Sequence, residues 1–425
     1  MRFPEALAEL EGRKESRMVP DLARILQLAT LLDDPQLSYP TIHVTGTNGK
    51  TTTARAVTAL ACAHGITAGL YTSPHLESVT ERFSVCGVDM TLEEFAAEYE
   101  HLLPFLLLVD SQSEEQVTYF EALTALAYLW FADRPVGLGV YEVGMGGTWD
   151  ATNLVAGDVG VICPIALDHP ELGATIAEVA TEKAGIIKEG KVAIVREQLA
   201  SAAAVIAERA AAVGAELKHE FDDFEVDRRL LAVGGQSLAV RGLYTSYDDL
   251  FVPLFGEHAA RNVAAAIAAL EALLGQALSI GAVREGLAGL TSPGRLEVLR
   301  RQPLVILDGA HNPAGAEALA VAMREFFTWD RLHLVLAVSA NKDLDGLVRP
   351  LAPLADVAYA ARNGSDRSGG AELIAERFGA EDTPVELFDS VTEALAAATA
   401  AAEPGDCVLV TGSLYTVADA RRVLA

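Results

Sequence analysis

The sequence predicts an α/β protein of two domains, each built on a mainly parallel sheet. Three observations lead to this prediction: the length, an alternation of β-rich runs with Ala-rich helical runs, and one break in that alternation. A chain of 425 residues is long enough for two or three domains at roughly 150 residues each. Short apolar strands that alternate with helical patterns are typical of βαβ units, whose strands are parallel.

The first domain begins this alternation at Thr41. We predict strands at residues 41–44, 67–71, 136–143 and 159–167, and helices at 51–64, 120–131 and 259–274. Buried parallel strands are apolar throughout, and in the fourth run only Pro164 argues for a strand end or a bulge. Between about residues 216 and 255, short alternating segments around Gly234 and Gly235 predict a small antiparallel patch.

A turn sequence, Thr291-Ser292-Pro293-Gly294, breaks the pattern, and a fresh alternation follows it. We therefore place the domain boundary there, with domains at residues 1–294 and 295–425. In the second domain the predicted strands are 304–307, 332–338, 357–360, 385–388 and 407–410, and the predicted helices are 314–326, 371–377, 391–402 and 417–424. This alternation predicts a smaller, Rossmann-like domain.

The charge and the apolar runs restrict the partners. With 32 basic and 59 acidic residues the net charge is −27, which disfavours binding to nucleic acid phosphates or anionic lipid. The longest strongly apolar run, residues 102–109, is far shorter than the roughly 18 residues of a membrane span. The first eleven residues have no apolar signal region. We expect a cytoplasmic protein with neither nucleic acid nor membrane as partner.

The four cysteines are scattered, without a Cys-x-x-Cys pair and without His at zinc-finger spacing; they are Cys62, Cys86, Cys163 and Cys407. This spacing indicates neither a disulfide framework nor a zinc site. We expect all four to be small buried apolar residues.

A glycine-containing segment, Gly46 to Thr53, lies between the first predicted strand and the first predicted helix. Here backbone N–H groups, a helix N-terminus, the Lys50 ammonium and hydroxyl groups can converge on phosphate and Mg²⁺. The strict phosphate-loop pattern needs Gly at position 44, where this chain has Val44. The segment is therefore a variant, and it predicts a P-loop-type ATPase sheet; the alternative is a Gly-rich turn without a ligand.

Two acidic positions follow neighbouring predicted strands. Glu142 comes at the end of an apolar run, before a Gly-rich turn, and should lie at the carboxyl edge of the sheet beside the nucleotide loop. A metal-binding carboxylate belongs at that edge. Asp168 and His169 end the next predicted strand in the same way. Taken alone, each of these groups could also be a hydrogen-bonded surface residue.

Nine segments, read in order, carry a family resemblance: GTNGKTT at 46–52, SPHL at 73–76, TYFE at 118–121, EVGMGGTWDATN at 142–153, ALDHPELG at 166–173, EKAGIIK at 182–188, PGRLE at 293–297, DGAHNP at 308–313 and GSLYTVA at 412–418. The chain resembles the folylpolyglutamate synthase and dihydrofolate synthase branch of the Mur ligase superfamily over most of its length. One segment departs from that branch. Its members commonly have Gly and then Ser after the loop lysine, whereas Lys50-Thr51-Thr52 resembles the cell-wall amino-acid ligases.

The resemblance implies ATP-dependent ligation of L-glutamate to a folate-type carboxylate, dihydropteroate or a reduced folate, through an acyl phosphate. The implied ATP contacts are Thr47, Asn48, Gly49, Lys50, Thr51, Asn262, Arg295 and Asp308, and the implied catalytic residues are Lys50, Lys183 and His311. Two Mg²⁺ sites are implied at Thr51, Ser73, Glu142, His169 and a carbamylated Lys183. The implied pterin site is lined by Thr118, Tyr119, Phe120, Glu121, Trp149, Asp150 and Ala151.

Alternatives remain open at this point. For Phe120 and Trp149 the other interpretation is ordinary core packing. A nucleotide switch would share the loop but would not need Arg295 and Asp308, and a non-catalytic folate-binding protein would not need the metal ligands. We expect a monomer. The sequence does not separate dihydrofolate synthase activity from folylpolyglutamate synthase activity, nor does it give the preferred folate or the chain length.

Overall fold

The computed structural model describes residues 1–13 and 20–424. These residues form two units. The first comprises the described residues within Met1–Leu230, Ser237–Val252 and Arg261–Leu290, and the second comprises those within Leu231–Gln236, Pro253–Ala260 and Thr291–Ala425. Within the described ranges, no helix is both long and apolar enough to cross a membrane.

An eight-stranded sheet forms the centre of the first unit. Its strands are β1 (Thr41–Thr45), β2 (Ala68–Tyr71), β3 (Phe83–Val85), β4 (Val88–Asp89), β5 (Leu138–Glu142), β6 (Val159–Ile162), β7 (Val192–Val195) and β8 (Glu216–His219). The spatial order is β4-β3-β2-β5-β1-β6-β7-β8. The strands from β2 to β8 in this order are parallel to one another, whereas β3 is antiparallel to β2 and β4 is antiparallel to β3. Strand β1 is buried along its whole length, as expected for a parallel strand covered on both faces.

Helices cover this sheet, and three of them begin at a Thr with Glu three residues later. These pairs, Thr91 with Glu94, Thr118 with Glu121 and Thr175 with Glu178, are reciprocal capping boxes that satisfy N–H groups of the first turn. The helices up to residue 290 are α1 (Phe3–Glu11), α2 (Ala23–Leu31), α3 (Lys50–Ala63), α4 (Leu92–Gln112), α5 (Tyr119–Asp133), α6 (Ile176–Ala184), α7 (Ala200–Val213), α8 (Glu257–Leu274) and α9 (Ile280–Ala288). An aromatic core including Tyr71, Phe83, Phe95 and Trp130 lies among α1, α2, α4 and α5.

A separate three-stranded sheet contains β9 (Glu225–Ala232), β10 (Gly235–Arg241) and β11 (Ser246–Val252), in the order β11-β10-β9. Two residues join β9 to β10, a connection that only antiparallel neighbours allow. The expected patch is therefore present but starts later than expected. Residues 216–219 were expected in the patch, and that was wrong: as β8 they pair in parallel with β7 at the edge of the main sheet.

The second unit has a six-stranded sheet in the order β12-β13-β17-β14-β15-β16. Its strands are β12 (Glu297–Arg301), β13 (Leu304–Leu307), β14 (Leu332–Leu336), β15 (Val357–Ala360), β16 (Val385–Leu387) and β17 (Cys407–Thr411), and its helices are α10 (Pro313–Phe326), α11 (Leu344–Leu351), α12 (Ala371–Ala380), α13 (Val391–Ala401) and α14 (Leu414–Leu424). Only β12 is antiparallel to its neighbour. The predicted fold class is confirmed. The sequence pattern missed β12, which is largely exposed, and α11, which is short and contains Pro350.

The strand predicted at residues 159–167 was too long, because β6 ends at Ile162. The last ladder hydrogen bond is donated by the Cys163 N–H to the Thr45 carbonyl. Pro164 has no N–H to continue the ladder. Asp168 and His169 therefore do not end a strand, as the sequence suggested, but lie in the loop that follows.

The expectation for the cysteines was wrong for two of the four. Cys62 and Cys86 form a disulfide with their Cα atoms 5.7 Å apart, and neither is fully buried. The two residues are distant in sequence, but the short connection from α3 to β2 and the pairing of β2 with β3 bring them together. Cys163 and Cys407 are free and buried, as expected.

Candidate active site

The loop between β1 and α3 is the starting point of the candidate site. Its first and last glycines, Gly46 and Gly49, have φ values of +143° and +92°, a region that favours glycine. A Cβ atom on Gly46 would lie 2.5 Å from the Cβ of Cys163. The Thr47 N–H donates to the Pro164 carbonyl at 2.9 Å, so the loop is fastened to the segment that follows β6.

Lys50 is the first residue of α3, and its ammonium turns back over the loop. It donates to the carbonyls of Gly46, at 3.0 Å, and of Thr47, at 3.3 Å. The first N–H groups of a helix have no partner within the helix, and the helix dipole places positive charge at the same end. Loop, lysine and helix end together are suited to bind a phosphate group.

Glu142, the last residue of β5, connects two other predicted metal ligands. Because β5 is the parallel neighbour of β1, its carboxylate lies beside the start of α3. The Thr51 hydroxyl donates to Oε1 at 2.7 Å, and the Ser73 N–H donates to Oε2 at 3.4 Å. The carboxylate is almost fully buried. The structure thus brings together hard oxygen donors of the kind that Mg²⁺ prefers.

Lys183, in the last turn of α6, reaches the same loop. Its ammonium donates to the Gly46 carbonyl at 2.9 Å, and the side chain is 3% exposed. Burial and, to a smaller extent, the nearby charge of Lys50 lower the pKa of Lys183 to about 7, although Asp168 acts in the opposite direction. At neutral pH a large share of this amine is therefore unprotonated, which is the form that can react as a nucleophile.

One cavity is lined by several predicted residues together; its lining consists of Gly46, Thr47, Lys50, Gly144, Met145, Ala166, Asp168, His169, Leu172, Val179 and Lys183. His169 lies in the cavity wall with its Nε2 atom 3.3 Å from the Asp168 carboxylate. The site is thus built from the nucleotide loop, the turn after β5, the loop after β6 and helix α6.

Asn262, in α8, approaches the nucleotide loop from another side. A Cβ atom on Gly49 would lie 2.6 Å from its Oδ1 atom, so the amide is in direct contact with the loop. The N–H group of Asn48, which lies between Thr47 and Gly49, donates a hydrogen bond to the Pro164 carbonyl at 3.4 Å. All predicted ATP contacts before residue 290 therefore lie on or beside this loop.

The TYFE segment forms the first turn of α5 and the residue before it. The Phe120 ring lies on Gly144, where a Cβ atom would come within 2.5 Å of its Cζ, and Gly144 lines the cavity. The Tyr119 ring lies 5.7 Å below the Arg82 guanidinium. Thr118 caps the helix.

Glu121 has one carboxylate oxygen in use and one without a partner. Oε2 accepts hydrogen bonds from the Thr118 N–H, at 2.8 Å, and from the Arg24 guanidinium, at 3.1 Å. Oε1 is buried and has no hydrogen-bond partner among the described residues. A buried acceptor without a donor is costly, so this oxygen suits a ligand that brings an N–H group.

The Trp149-Asp150-Ala151 turn is held mainly by the chain itself. The buried Asp150 carboxylate accepts from the N–H groups of Met145, at 2.8 Å, and Thr152, at 3.0 Å, and burial raises its pKa while the Thr152 hydrogen bond acts in the opposite direction. The Ala151 carbonyl accepts from the Tyr128 hydroxyl. Trp149 is partly buried and packs against the core of α6 and α7, as the core-packing interpretation expects.

The three predicted residues of the second unit cluster at the end of β13. The buried Asp308 carboxylate accepts from the N–H groups of Leu296 and Ala310, both at 2.8 Å. Burial raises the pKa of Asp308, and the Arg295 charge opposes this. Arg295 lies against Gly309, where a Cβ atom would come 2.3 Å from its Nη1. His311 has its Nδ1 atom 2.8 Å from the Gly309 carbonyl.

Two protein-family models match this chain, one in each of two consecutive stretches. A model of the Mur ligase middle domain matches residues 44–270, and a model of the Mur ligase glutamate ligase domain matches residues 294–414. The chain belongs to the Mur ligase family.

Relatives place this Mur ligase in one branch of the family. It is 42% identical to a dihydrofolate synthase/folylpolyglutamate synthase of Mycobacterium tuberculosis, covering 96% of this chain and 90% of the relative. It is 34% identical to a folylpolyglutamate synthase of Lacticaseibacillus casei, covering 100% and 99%. The expected family resemblance is confirmed.

Solved structures agree with this assignment. A Mycobacterium tuberculosis folylpolyglutamate synthase complexed with ADP superposes with a TM-score of 0.95 at 41% identity, covering 100% of this chain and 98% of that one. The Escherichia coli FolC protein in complex with DHPP and ADP superposes with a TM-score of 0.88 at 32% identity, covering 100% and 98%.

Two further residues of this Mur ligase lie beside the implied site residues. Asp168 was expected at a strand end in the same way as Glu142, without an assigned role, and it lines the cavity together with Lys183. Arg196 was not considered, although it is buried and follows β7 directly. The strand-end rule that found Glu142 also applies to Arg196.

Proposed function

We propose that this chain joins the amino group of L-glutamate to a folate-type carboxylate, dihydropteroate or a reduced folate, and converts ATP to ADP and phosphate. One observation carries the proposal, in a chain of the Mur ligase family. Lys50 and Lys183 converge on the Gly46 carbonyl of the loop, and Glu142 accepts from Thr51 at the start of the helix that follows it. We further propose that residues 1–294 form the ATP-binding domain and residues 295–425 the ligase domain.

The chemistry requires an activated acid, because a carboxylate is a poor acyl donor. A carboxylate oxygen of the folate attacks the γ-phosphorus of ATP, the bond to the β,γ-bridging oxygen breaks, and ADP leaves. The glutamate amine then attacks the carbonyl carbon of the acyl phosphate, loses a proton, and phosphate leaves with the electrons of the broken C–O bond. The first step brings a carboxylate against the phosphate oxygens, and the second develops an oxyanion on the carbonyl oxygen beside the phosphate. Positive groups fixed in advance therefore lower both barriers.

The chain's own residues supply much of the positive charge that the reaction requires. Lys50 places an ammonium on the loop that would bind the β- and γ-phosphates, and the start of α3 adds its N–H groups. The oxygen donors Thr51, Ser73 and Glu142 fit Mg²⁺, with His169 and a carbamylated Lys183 as further ligands in the proposal. Mg²⁺ would neutralise phosphate charge there. The proposal also assigns ATP contacts to Arg295 and Asp308 and a catalytic role to His311.

Acceptor recognition is assigned to the TYFE segment and the turn at residues 149–151. The partly buried ring of Phe120 beside the cavity is suited to stack on a flat pterin. The free Oε1 of Glu121 could accept a hydrogen bond from a pterin N–H group. Asp150 already accepts hydrogen bonds from its own turn, and we propose that it acts mainly by shaping the site.

A phosphate-release assay with a panel of acceptors tests the function. We expect ADP and phosphate only when L-glutamate is present together with dihydropteroate or a reduced folate, and none with D-glutamate. Turnover with a UDP-muramyl acceptor and with no pterin would overturn the proposal in favour of a cell-wall ligase, which the Lys50-Thr51-Thr52 sequence resembles. Comparing dihydropteroate with tetrahydrofolate in the same assay separates the two folate activities.

A further inference from the structure

A buried ionic cluster lies beside the nucleotide loop in the first unit, and the mechanism above does not use it. It consists of Arg196, Glu220 and Arg261, and it contacts Asn262. We propose that Arg196 is a positioning residue, which turns the amide NH₂ group of Asn262 toward the bound nucleotide. This inference rests on the proposed function, because that proposal assigns an ATP contact to Asn262.

Arg196 connects the cluster to Asn262 through two hydrogen bonds. Its Nε donates to the Oε2 of Glu220 at 2.9 Å, and its Nη1 donates to the Oδ1 of Asn262. The side chains of Arg196 and Glu220 are 3% and 1% exposed. The Arg196 N–H donates to the Ile162 carbonyl, so the backbone of Arg196 is fixed by the sheet as well.

The chemistry of the two side chains decides which way the amide faces. An arginine carries only hydrogen-bond donors, so the amide atom that faces it must be the oxygen. The NH₂ group of Asn262 is then on the opposite side of the amide. A Cβ atom on Gly49 would lie 2.6 Å from the Oδ1 and 3.1 Å from the Nδ2 of Asn262, so both amide atoms border the loop. Phosphate oxygens and nucleobase ring nitrogens are acceptors that an NH₂ group at the loop can bind. Without Arg196 the amide could rotate and present its oxygen, which phosphate oxygens would repel.

Glu220 does not need Arg196 to remain ionised. Arg261 donates to both of its oxygens, at 2.7 and 2.9 Å, and the Glu197 N–H donates to Oε2 at 2.7 Å. Burial opposes ionisation of Glu220, but the Arg261 hydrogen bonds and the Arg196 charge together lower the pKa of its carboxyl. Replacing Arg196 should therefore loosen Asn262 without leaving a buried carboxylate unpaired.

The test compares Arg196→Met, Asn262→Ala and the double variant of the full chain. We expect Arg196→Met to raise the KM for ATP and the Kd for ADP roughly three- to tenfold, about the effect of one hydrogen bond, while the KM for L-glutamate stays unchanged. The double variant should bind no more weakly than Asn262→Ala alone, since both changes remove the same contact. Arg134→Met, which removes an Arg–Glu pair between the end of α5 and Glu94 of α4, is the control and should leave all three constants unchanged.

Each of the other outcomes contradicts one step of this proposal. If Asn262→Ala raises the KM for ATP but Arg196→Met does not, Arg196 does not position the amide. If the effects of the two changes add in the double variant, Arg196 acts independently of Asn262. If Asn262→Ala leaves the KM and Kd unchanged in an enzyme that still ligates glutamate, the ATP contact fails while the proposed reaction stands. If the Arg196→Met variant does not fold, Arg196→Lys is tested in its place, because a single ammonium cannot hold Glu220 and Asn262 in the same geometry. A normal melting temperature with a raised KM for ATP supports the inference. A wild-type KM for ATP overturns it.

Discussion

The Lys183 ammonium donates a hydrogen bond of 2.9 Å to the carbonyl oxygen of Gly46, the first residue of the nucleotide loop. Lys50 donates to the same carbonyl, so two lysines share one acceptor. Protonating both lysines at once is unfavourable, because two positive charges then lie close together and Lys183 is buried. Burial, and after it the charge of the neighbouring Lys50, gives Lys183 its lowered pKa.

We predict that Lys183 is carbamylated in bicarbonate-supplied enzyme. Only the neutral amine attacks CO₂, and with a pKa of about 7 the neutral fraction falls about tenfold for each pH unit below that value. The carbamate should therefore form at pH 8 and largely disappear at pH 6. Carbon-13 NMR of enzyme supplied with labelled bicarbonate measures it. A bare amine in active enzyme at pH 8 would contradict the prediction.

Replacing Lys183 by Ala should abolish turnover, because the carboxylate that the carbamate supplies is lost. Acetate should restore part of the activity, since a small carboxylate fits the space left by the side chain. Phosphate release at increasing acetate concentration is the measurement. Lys191→Ala, at a partly exposed lysine of the same unit paired with Asp158, is the control and should need no acetate. No rescue at any acetate concentration would count against the carbamate.

Lys50→Ala should remove ligase activity while the fold is kept. The ammonium lies on the loop that would bind the phosphates, and a hydrogen bond to a charged group contributes about 1.5–3 kcal/mol, with more in the transition state. Phosphate release and the melting temperature should be measured together. Near-normal phosphate release by a folded variant would contradict the assignment of the loop.

Glu142→Gln should raise the Mg²⁺ concentration needed for half-maximal activity by tenfold or more, as a rough expectation for losing a charged ligand. The amide keeps the size of the side chain and can still accept from Thr51, so the change tests charge more than packing. A Mg²⁺ titration of phosphate release is the measurement. Glu216→Gln, at an exposed carboxylate paired with Lys218, should leave the titration unchanged. A wild-type Mg²⁺ requirement for Glu142→Gln would remove Glu142 from the metal site.

Much of the site could be predicted from the sequence because its parts are local. A Gly-containing loop between a strand and a helix places Lys50 and Thr51 at a helix start, and Glu142 follows a buried strand directly. Because the strands are parallel, their carboxyl ends, and the residues that follow them, lie at one edge of the sheet. The sequence by itself therefore determined the α/β class, the nucleotide loop and the carboxylate beside it.

Only the tertiary structure decided the remaining features. Arg196, Glu220 and Asn262 are far apart in sequence, and no local pattern predicts that their side chains meet. The end of β6 at Ile162 places Asp168 and His169 in a loop rather than at a strand end. The Cys62–Cys86 disulfide depends on the pairing of β2 with β3, and the pKa of Lys183 depends on burial. Distances and solvent exposure between distant segments arise only when the chain packs, and these contacts are set by the sum of many weak interactions that no short segment contains.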